Sequence, residues 1–288
     1  MFEAVAIGPN GRSASNCYRA EVDTATISHD LAPLVGDRVH DPVRATWLGR
    51  VPYRDAWDLQ KRLAAARADE RIGDRLLLLE HPAVLTLGRQ ADEGHVLASP
   101  AALARRGIEV LRVERGGEVT YHGPGQLVAY PILGLSRRGL LVRPLVRALE
   151  AAMIATCAAS GVLASRRDGH PGSWCDPDGV APRKIGALGL RVERGVSYHG
   201  IALNIAPDLA DFDLIDPCGM PGVVSTSIAR EAGRPDEAPS TDAVERAAWT
   251  FASALAAELG TKLEIVDDPE LADDAAATDP RPVPAATR

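Results

Sequence analysis

The chain has 288 residues, of which 46% are hydrophobic and 25% are charged. This length suits one large domain or two small ones, and the apolar content is sufficient for a buried core. No apolar run approaches the roughly 20 residues needed to span a membrane. Residues 1–15 also lack the basic and apolar regions of a secretory signal. A cytoplasmic location is therefore expected.

The net charge of −7 is unevenly distributed. Residues 266–288 carry six acids and two arginines, so the rest of the chain is close to neutral. Solvated faces explain most clusters of basic residues in such a chain, and docking of an acidic partner is the alternative. The basic clusters are Arg105/Arg106/Arg112/Arg115, Arg137/Arg138/Arg143/Arg147 and Arg183/Lys184/Arg191/Arg194.

The sequence divides into three regions. Residues 1–44 show no sustained periodicity and predict a loosely ordered extension, and the acidic, Pro-rich residues 267–288 predict a tail. Residues 45–266 between them predict the folded domain. In chain order, its predicted elements are a helix over 55–71, strands over 76–79 and 84–87, a short helix ending at 107, a strand over 108–113, a glycine-rich loop, a strand over 127–133, a helix over 141–160, a hairpin over 184–206 and a helix over 240–259.

Capping residues support three of these helices. Ser99 and Ser240 stand where N-caps are needed, and Gly161 and Gly260 stand where helices end. Strands interspersed with helices, together with one hairpin, predict the α+β class with a mixed β-sheet flanked by helices.

The glycine-rich run from Arg115 to Pro131 is the most informative segment. Four glycines and a proline lie between Gly116 and Gln126, next to an apolar strand. Glycine lets a backbone approach a ligand closely because no Cβ stands in the way. The run therefore predicts a ligand-binding loop, with a plain structural turn as the alternative.

The predicted hairpin contains two further glycines, Gly189 and Gly200. With a turn at 193–195, Val192 faces Val196 and Gly189 faces His199. Leu188 then lies opposite Gly200, and the two glycines leave space above the sheet. A slip by one residue would change these pairs.

Cys218 is the candidate nucleophile. It lies between Pro217 and Gly219 in a segment that can be neither regular helix nor central strand. A rigid, irregular loop can present a sulfur to a cleft, whereas the alternative is a small apolar residue filling a gap. Cys157, within an apolar helix, is expected in the core. Cys175 stays ambiguous.

Lys184 is the candidate proton carrier. The chain has 29 arginines and only three lysines, Lys61, Lys184 and Lys262. A lysine can give up its proton, which an arginine cannot do, and a lysine beside a thiol favours the thiolate. The alternative is that Lys184 occupies a basic strand by chance.

Two Tyr-His-Gly triplets contain the candidate bases His122 and His199. Structural, hydrogen-bonded histidines are the more common alternative. His170 and His199 with Cys175 and Cys218 could bind zinc in principle, but their spacing matches no familiar pattern. No metal site is predicted.

Four blocks together resemble the signature of lipoyl(octanoyl) transferases, the octanoyl-carrier-protein:protein N-octanoyltransferases. The first block is RGGEVTYHGPGQLVAYPI from Arg115. The others are KIGALG from Lys184, HGIALN from His199, and Pro217–Met220 with Thr226–Ile228, and Gly88–Gln90 also matches. The resemblance runs from about residue 50 to residue 260. Two features depart from the family's pattern. Cys175 stands where the family usually has an apolar residue, and the loop before Lys184 is longer than the family's.

The resemblance implies a fold like that of biotin and lipoate ligase catalytic domains. It implies an octanoyltransferase that takes octanoate from acyl carrier protein through a thioester on Cys218, with Lys184 managing the protons. The acceptors would be lysines on lipoyl domains of 2-oxo acid dehydrogenase E2 subunits and on the glycine cleavage H protein. No cofactor, nucleic acid or membrane is implied. The implied acyl-binding residues are Arg115, Gly116, Gly117, Glu118, Val119, Thr120, Tyr121, His122, Ala187, Leu188, Gly189, His199, Gly200 and Ile201.

Two other functions remain as alternatives. An ATP-dependent lipoate or biotin protein ligase could use the same fold without needing Cys218. A non-catalytic protein that binds the carrier protein could also retain the fold. A thioester donor is already activated, and the chain has no Gly-x-x-x-x-Gly-Lys-[Ser/Thr] phosphate loop.

Overall fold

The computed structural model describes residues 41–216, 222–234 and 238–268. Residues 1–40 and 269–288 of the predicted extension and tail lie outside this description, as does the Cys218 loop at 217–221. None of the described helices is both long enough and apolar enough to cross a membrane. The strands are β1 (Val43–Arg50), β2 (Arg75–Glu80), β3 (Val84–Leu87), β4 (Glu109–Arg112), β5 (Val119–His122), β6 (Gln126–Ile132), β7 (Ser165–Arg167), β8 (His170–Cys175), β9 (Arg183–Glu193), β10 (Val196–Asn204), β11 (Val224–Ser225) and β12 (Leu263–Ile265).

The described strands form two sheets. The larger sheet has the order β12-β1-β2-β6-β10-β9-β8-β7, with β11 also pairing with β9, and the smaller sheet has the order β4-β3-β5. The larger sheet is mixed, because β1 is parallel to β2 whereas β2 is antiparallel to β6. The helices are α1 (Tyr53–Ala68), α2 (Pro100–Arg105), α3 (Leu135–Arg138), α4 (Val142–Ala159), α5 (Ile228–Glu231) and α6 (Thr241–Glu258), with 3-10 turns at Glu93–His95 and Leu209–Leu214.

Helices cover both faces of the larger sheet, which explains the uninterrupted apolar run in β2. Leu76 and Leu78 belong to the core that contains the α4 and α6 side chains. Leu77 and Leu79 belong to a second cluster with Leu59 of α1. Successive strand residues point to opposite faces, so a strand buried on both sides needs apolar residues at every position. The predicted α+β class and mixed sheet are confirmed.

Helix ends follow the predicted capping residues. The Ser99 hydroxyl accepts a hydrogen bond from Ala102 N, and Ser240 does the same for Ala243 N. Gly161 and Gly260 adopt φ values of +76° and +59° just beyond α4 and α6. Glycine at these positions avoids the steric cost that a Cβ would add in left-handed backbone.

Several strands were not predicted. Strand β1 begins at Val43, within the predicted extension, and lies between β12 and β2. Four residues of the predicted glycine-rich loop, Val119–His122, form strand β5, which pairs with β3. The short elements β7, β8, β11, β12, α3 and α5 were also missed. Long-range pairing decides these segments, and their local composition gives no strong periodicity.

The predicted register of the β9–β10 hairpin is wrong by one residue. Glu193 pairs with Val196, and the two-residue turn contains Arg194 at φ +49° and Gly195 at φ +77°. Two consecutive positive φ values match a type I′ turn, which suits the right-handed twist of a hairpin. Every pair therefore shifts, and Gly189 lies directly opposite Gly200.

Candidate active site

A narrow cavity of about 50 Å³ lies between the glycine-rich segment and the β9–β10 hairpin. Tyr53, Tyr130 and Ala202 contribute to its wall beside the predicted residues. The structure thus brings three separate sequence blocks to one place. The predicted residues that line the cavity are Arg115, Gly117, Glu118, Val119, Thr120, His122, Ala187, Leu188, Gly189, His199, Gly200 and Ile201.

Two of the predicted acyl-binding residues do not line this cavity. Gly116 N donates a hydrogen bond to Leu190 O at 3.0 Å and so joins the segment to β9. The Tyr121 hydroxyl donates to Asp211 at 2.7 Å, in a cluster with Phe212. Side chains alternate along a strand, so Tyr121 of β5 points away from the side that carries Thr120 and His122.

The paired glycines allow close approach of three chain segments. A Cβ on Gly200 would collide with Ala129 O, and a Cβ on Gly189 would come within 2.7 Å of Gly116 O. Any larger residue would therefore push β6 or the glycine-rich segment away from the hairpin. The glycines act by packing, which sets the width of the cavity.

Arg115 fixes the glycine-rich segment to strand β3. Its Nη2 donates to Thr86 O at 2.6 Å, and its Nε donates to the Thr86 hydroxyl at 3.1 Å. Its Nη1 donates to Gly116 O at 3.0 Å. The side chain is buried as well as cavity-lining. Arg115 therefore has a structural role in this wall.

His122 is held as one neutral tautomer. Gln126 Nε2 donates to Tyr121 O and to Asn204 Oδ1 at 2.9 Å, so Gln126 Oε1 is left as an acceptor. His122 Nδ1 lies 2.8 Å from Gln126 Oε1 and must therefore carry the proton that it donates to this oxygen. Burial, and next the neighbouring His81, lower the pKa of His122 well below 6.5. His122 Nε2 is consequently an unprotonated acceptor.

The same hydrogen bonds reach the strand that carries Lys184. Asn204 Nδ2 donates to Thr226 O at 2.9 Å, and Thr226 N donates to Lys184 O at 2.9 Å. Each amide in this chain has a fixed orientation, because its carbonyl accepts and its amino group donates. The cavity histidine and the backbone of Lys184 are thus connected through buried, satisfied groups.

Sequence reasoning missed a polar cluster behind the cavity. His81 Nδ1 donates to Val51 O at 2.7 Å, and its Nε2 accepts from the Tyr130 hydroxyl at 2.7 Å. Burial lowers the pKa of His81 to about 4 and raises the pKa of Tyr53 to about 12. The cluster is therefore uncharged near neutral pH. The signal that could have found this cluster is the position of His81, directly after strand β2, in which the residues from Leu76 to Glu80 are all buried.

His199 is strained and buried. Its φ is +53°, which is uncommon for a residue other than glycine, and its side chain is 1% exposed. Among the described residues, neither ring nitrogen has a hydrogen-bond partner. The 3.9 Å from Nε2 to Glu114 Oε1 exceeds hydrogen-bond length. Burial lowers the pKa of His199 and outweighs the opposing effect of Glu114.

Lys184 lies near the start of β9 and is buried. Its Nζ stands 5.2 Å from the centroid of the Trp174 ring, where a cation interacts favourably with the aromatic face. Lys184 does not line the cavity. It precedes Ala187 by three strand residues, or roughly 10 Å.

Cys218 lies outside the described residues. Strand β11, a few residues after it in the sequence, pairs with the part of β9 that contains Lys184. Ser225 of β11 is paired with Lys184, and Val224 is paired with Arg183. Cys157 and Cys175 are both buried, as expected for Cys157. Burial raises the pKa of their thiols to about 12 and about 11, which makes either a poor nucleophile. In the described part of the chain, no cluster of three or more His, Cys, Asp or Glu could hold a metal ion.

Residues 52–250 match the family model described as the lipoyl protein ligase A/B catalytic domain. The chain belongs to this family. The octanoyltransferase of Chloroflexus aurantiacus is 51% identical over 189 residues, covering 65% of this chain and 83% of the relative. The octanoyltransferase of Acidobacterium capsulatum is 50% identical over 192 residues, covering 64% and 78%. This family member is therefore an acyltransferase.

Solved lipoate ligases share the fold. A putative lipoate protein ligase from T. acidophilum, Ta0514, has a TM-score of 0.55 at 15% identity, covering 81% of this chain and 93% of that chain. A lipoate-protein ligase A bound with ATP has a TM-score of 0.56 at 16% identity, covering 81% and 94%. The expected ligase-like fold is confirmed.

Proposed function

We propose that this acyltransferase moves an octanoyl group from the thioester of an acyl carrier protein to the ε-amine of a lysine on a lipoyl domain. The main support for this proposal is that twelve of the predicted acyl-binding residues line one cavity. The roughly half identity to two octanoyltransferases supports octanoyl as the acyl group. A lipoate ligase of the same fold is described together with its E2 lipoyl domain, which supports this acceptor class.

The reaction has two steps with a covalent intermediate. The Cys218 thiolate attacks the thioester carbonyl, a new carbon–sulfur bond forms, and the carrier thiol leaves after taking a proton. The neutral lysine amine of the acceptor then attacks the acyl-enzyme. An amide bond forms, the bond to Cys218 breaks, and the amine gives up a proton. Both steps exchange one acyl bond for another, so no ATP is required.

Lys184 is the proton carrier in this mechanism. Its ammonium favours the Cys218 thiolate and gives a proton to the leaving carrier thiol, and the resulting amine accepts the proton of the acceptor lysine. Burial of Lys184 over Trp174 keeps its head group away from bulk water. The pairing of Lys184 with Ser225, seven residues after Cys218, supports the approach of the two side chains.

His122 supports the second step. Its Nε2 lone pair can accept a hydrogen bond from the N–H of the incoming amine, because the Gln126 contact keeps the proton on Nδ1. Because its pKa is strongly lowered, His122 stays neutral and keeps its Nε2 lone pair free to accept a hydrogen bond. His122 therefore positions the amine, while Lys184 takes its proton.

Only part of the arginine surface is available for docking the carrier protein. Many of the clustered arginines pair with carboxylates, including Arg106 with Asp211, Arg147 with Glu150 and Arg183 with Glu231. Arg105 and Arg143 are exposed and stand outside these pairs. We assign docking of the acidic carrier protein to exposed basic residues such as these.

The donor distinguishes this function from an ATP-dependent ligase. Incubation with octanoyl-carrier protein and no ATP should add one octanoyl group to the intact enzyme by mass spectrometry, and Cys218→Ala should abolish this adduct. Cys157→Ala is the matched control and should still be acylated. Absence of the adduct in the wild type, or its persistence in Cys218→Ala, contradicts the mechanism. Amide transfer to a lipoyl domain excludes the non-catalytic binder.

A further inference from the structure

His199 separates the cavity from a second open space. It lines the cavity, while its Nε2 faces Glu114 at 3.9 Å. Glu114 lines a neighbouring groove, and so does Tyr198, whose ring stacks on His199 with a centroid distance of 5.0 Å. At this point the imidazole of His199 stands between the cavity and the groove, and Glu114 and Tyr198 lie against it on the groove side.

The groove beyond His199 has a volume of about 410 Å³. Ala64, Ala65 and Ala68 of α1 form its apolar wall. The charged residues that border it are Lys61, Glu114, Arg191, Glu193 and Arg194. The aliphatic stems of such long basic side chains cover apolar surface while their charged ends stay in water. We call this space the alanine groove. It can accommodate methylene groups.

The backbone at His199 directs the ring into the partition. Neighbouring side chains normally alternate between the faces of a strand, yet Tyr198 and His199 stack on each other. The φ of +53° at His199 accounts for this exception. Backbone strain and two buried nitrogens without hydrogen-bond partners among the described residues both carry a cost, so this arrangement points to a functional requirement.

The distance between Ala187 and His199 along the hairpin matches the length of an octanoyl chain. This step rests on the proposed function, which supplies the octanoyl substrate. Ala187, paired with Ala202, stands at the end of the cavity nearer Lys184, and His199, paired with Leu190, stands farther along. Three strand residues separate the two pairs, or roughly 10 Å. An extended eight-carbon chain with its carbonyl toward Lys184 spans this distance.

We propose that His199 is the end stop of the acyl cavity and thereby the residue that limits the acyl group to octanoyl. The methyl end of an octanoyl group abuts the imidazole. A longer chain meets the ring and is rejected. A smaller residue at this position joins the cavity to the alanine groove, which then receives the additional carbons.

The test compares octanoyl- and dodecanoyl-carrier proteins as donors. In the wild type, kcat/KM for dodecanoyl should be lower by at least about tenfold, because a pocket of fixed length discriminates by extra methylenes. His199→Asn should raise the dodecanoyl-to-octanoyl ratio by at least about fivefold. Asparagine is smaller and tolerates positive φ. His199→Gly tests the same point without backbone strain.

A second substitution locates the additional carbons. Ala65→Leu placed in the His199→Asn background narrows the alanine groove and should return the ratio toward the wild-type value. Ala158→Leu, the same exchange at an exposed position of α4, is the matched control and should leave the broadened profile in place. Melting curves identify any variant that fails to fold.

The outcomes separate this inference from the proposed function. A wild type that transfers no octanoyl overturns the proposed function. A wild type that uses octanoyl and dodecanoyl equally well overturns the end stop, even if neither His199 variant folds. A folded, active His199→Asn or His199→Gly variant with a ratio raised less than about fivefold also overturns it.

Discussion

At the scale of single residues, the neutral His122 in the cavity wall leads to a kinetic prediction. His122→Ala removes the Nε2 acceptor but leaves Cys218 and Lys184 in place. The acyl-enzyme should still form, while amide transfer to a lipoyl domain should slow by about 10²-fold. Rapid mixing of preformed acyl-enzyme with lipoyl domain measures the second step alone. Loss of acyl-enzyme formation would contradict a positioning role.

Lys184 permits a test that separates charge from proton transfer. Lys184→Arg retains a cation but cannot exchange a proton at accessible pH. We expect overall transfer to fall by at least about 10²-fold. Lys61→Arg is the matched control, since Lys61 is exposed and pairs with Asp58 on α1. Steady-state kinetics with octanoyl-carrier protein provide the measurement, and an active Lys184→Arg variant would show that charge alone suffices.

At the scale of secondary-structure elements, the paired glycines let neighbouring segments pack too closely for a residue with a Cβ. Gly200→Ala places a methyl group against Ala129 O of the neighbouring strand β6. The free energy of unfolding should fall by about 1–3 kcal/mol, since a packed sheet cannot easily move apart. Urea denaturation measures this change.

Gly73 provides the control for the same exchange. A Cβ at Gly73 meets no atom within 4 Å, and its φ lies outside the positive range. Gly73→Ala should therefore be neutral, or should stabilise the protein by about 0.4–1 kcal/mol through the unfolded state. Equal destabilisation by Gly73→Ala and Gly200→Ala would show that loss of glycine itself, and not the contact with β6, is responsible.

Elements with strong local signals were predicted well, and the others were not. The run Leu76–Leu79 and the caps Ser99 and Ser240 specify a buried strand and two helix starts locally. In contrast, β1 is paired with β12, more than two hundred residues away. The hairpin register failed because Arg194 adopts positive φ, which its residue type does not indicate.

At the scale of the whole molecule, buried neutral histidines make stability depend on pH. The pKa of His81 is lowered to about 4 in the fold from about 6.5 when unfolded. The unfolded state therefore gains a proton first as pH falls. The contribution of His81 is fully present above pH 6.5, and about 3 kcal/mol is lost as pH falls toward 4. His122 adds to the loss in the same direction.

Denaturant unfolding at a series of pH values between 7 and 4 measures this dependence. His81→Gln should flatten the curve, because the titrating group is removed. His170→Gln is the control, since His170 is only partly buried at the end of β8, and it should leave the slope unchanged. A wild-type curve that is flat over this range would contradict the burial of neutral histidines.

The sequence by itself determined the α+β class, the main helices and buried strands, and the blocks that contribute to one site. These features depend on local periodicity, capping and glycine content, which act over a few residues. Tertiary structure alone decided the hairpin register and the tautomer of His122. It also decided that Tyr53 and Tyr130 line the cavity and that His81 lies behind it. The tautomer of His122 depends on Gln126, Asn204 and Thr226, which folding brings together from separate strands and loops. Contacts between distant segments fix backbone angles and proton positions, and no local pattern encodes them.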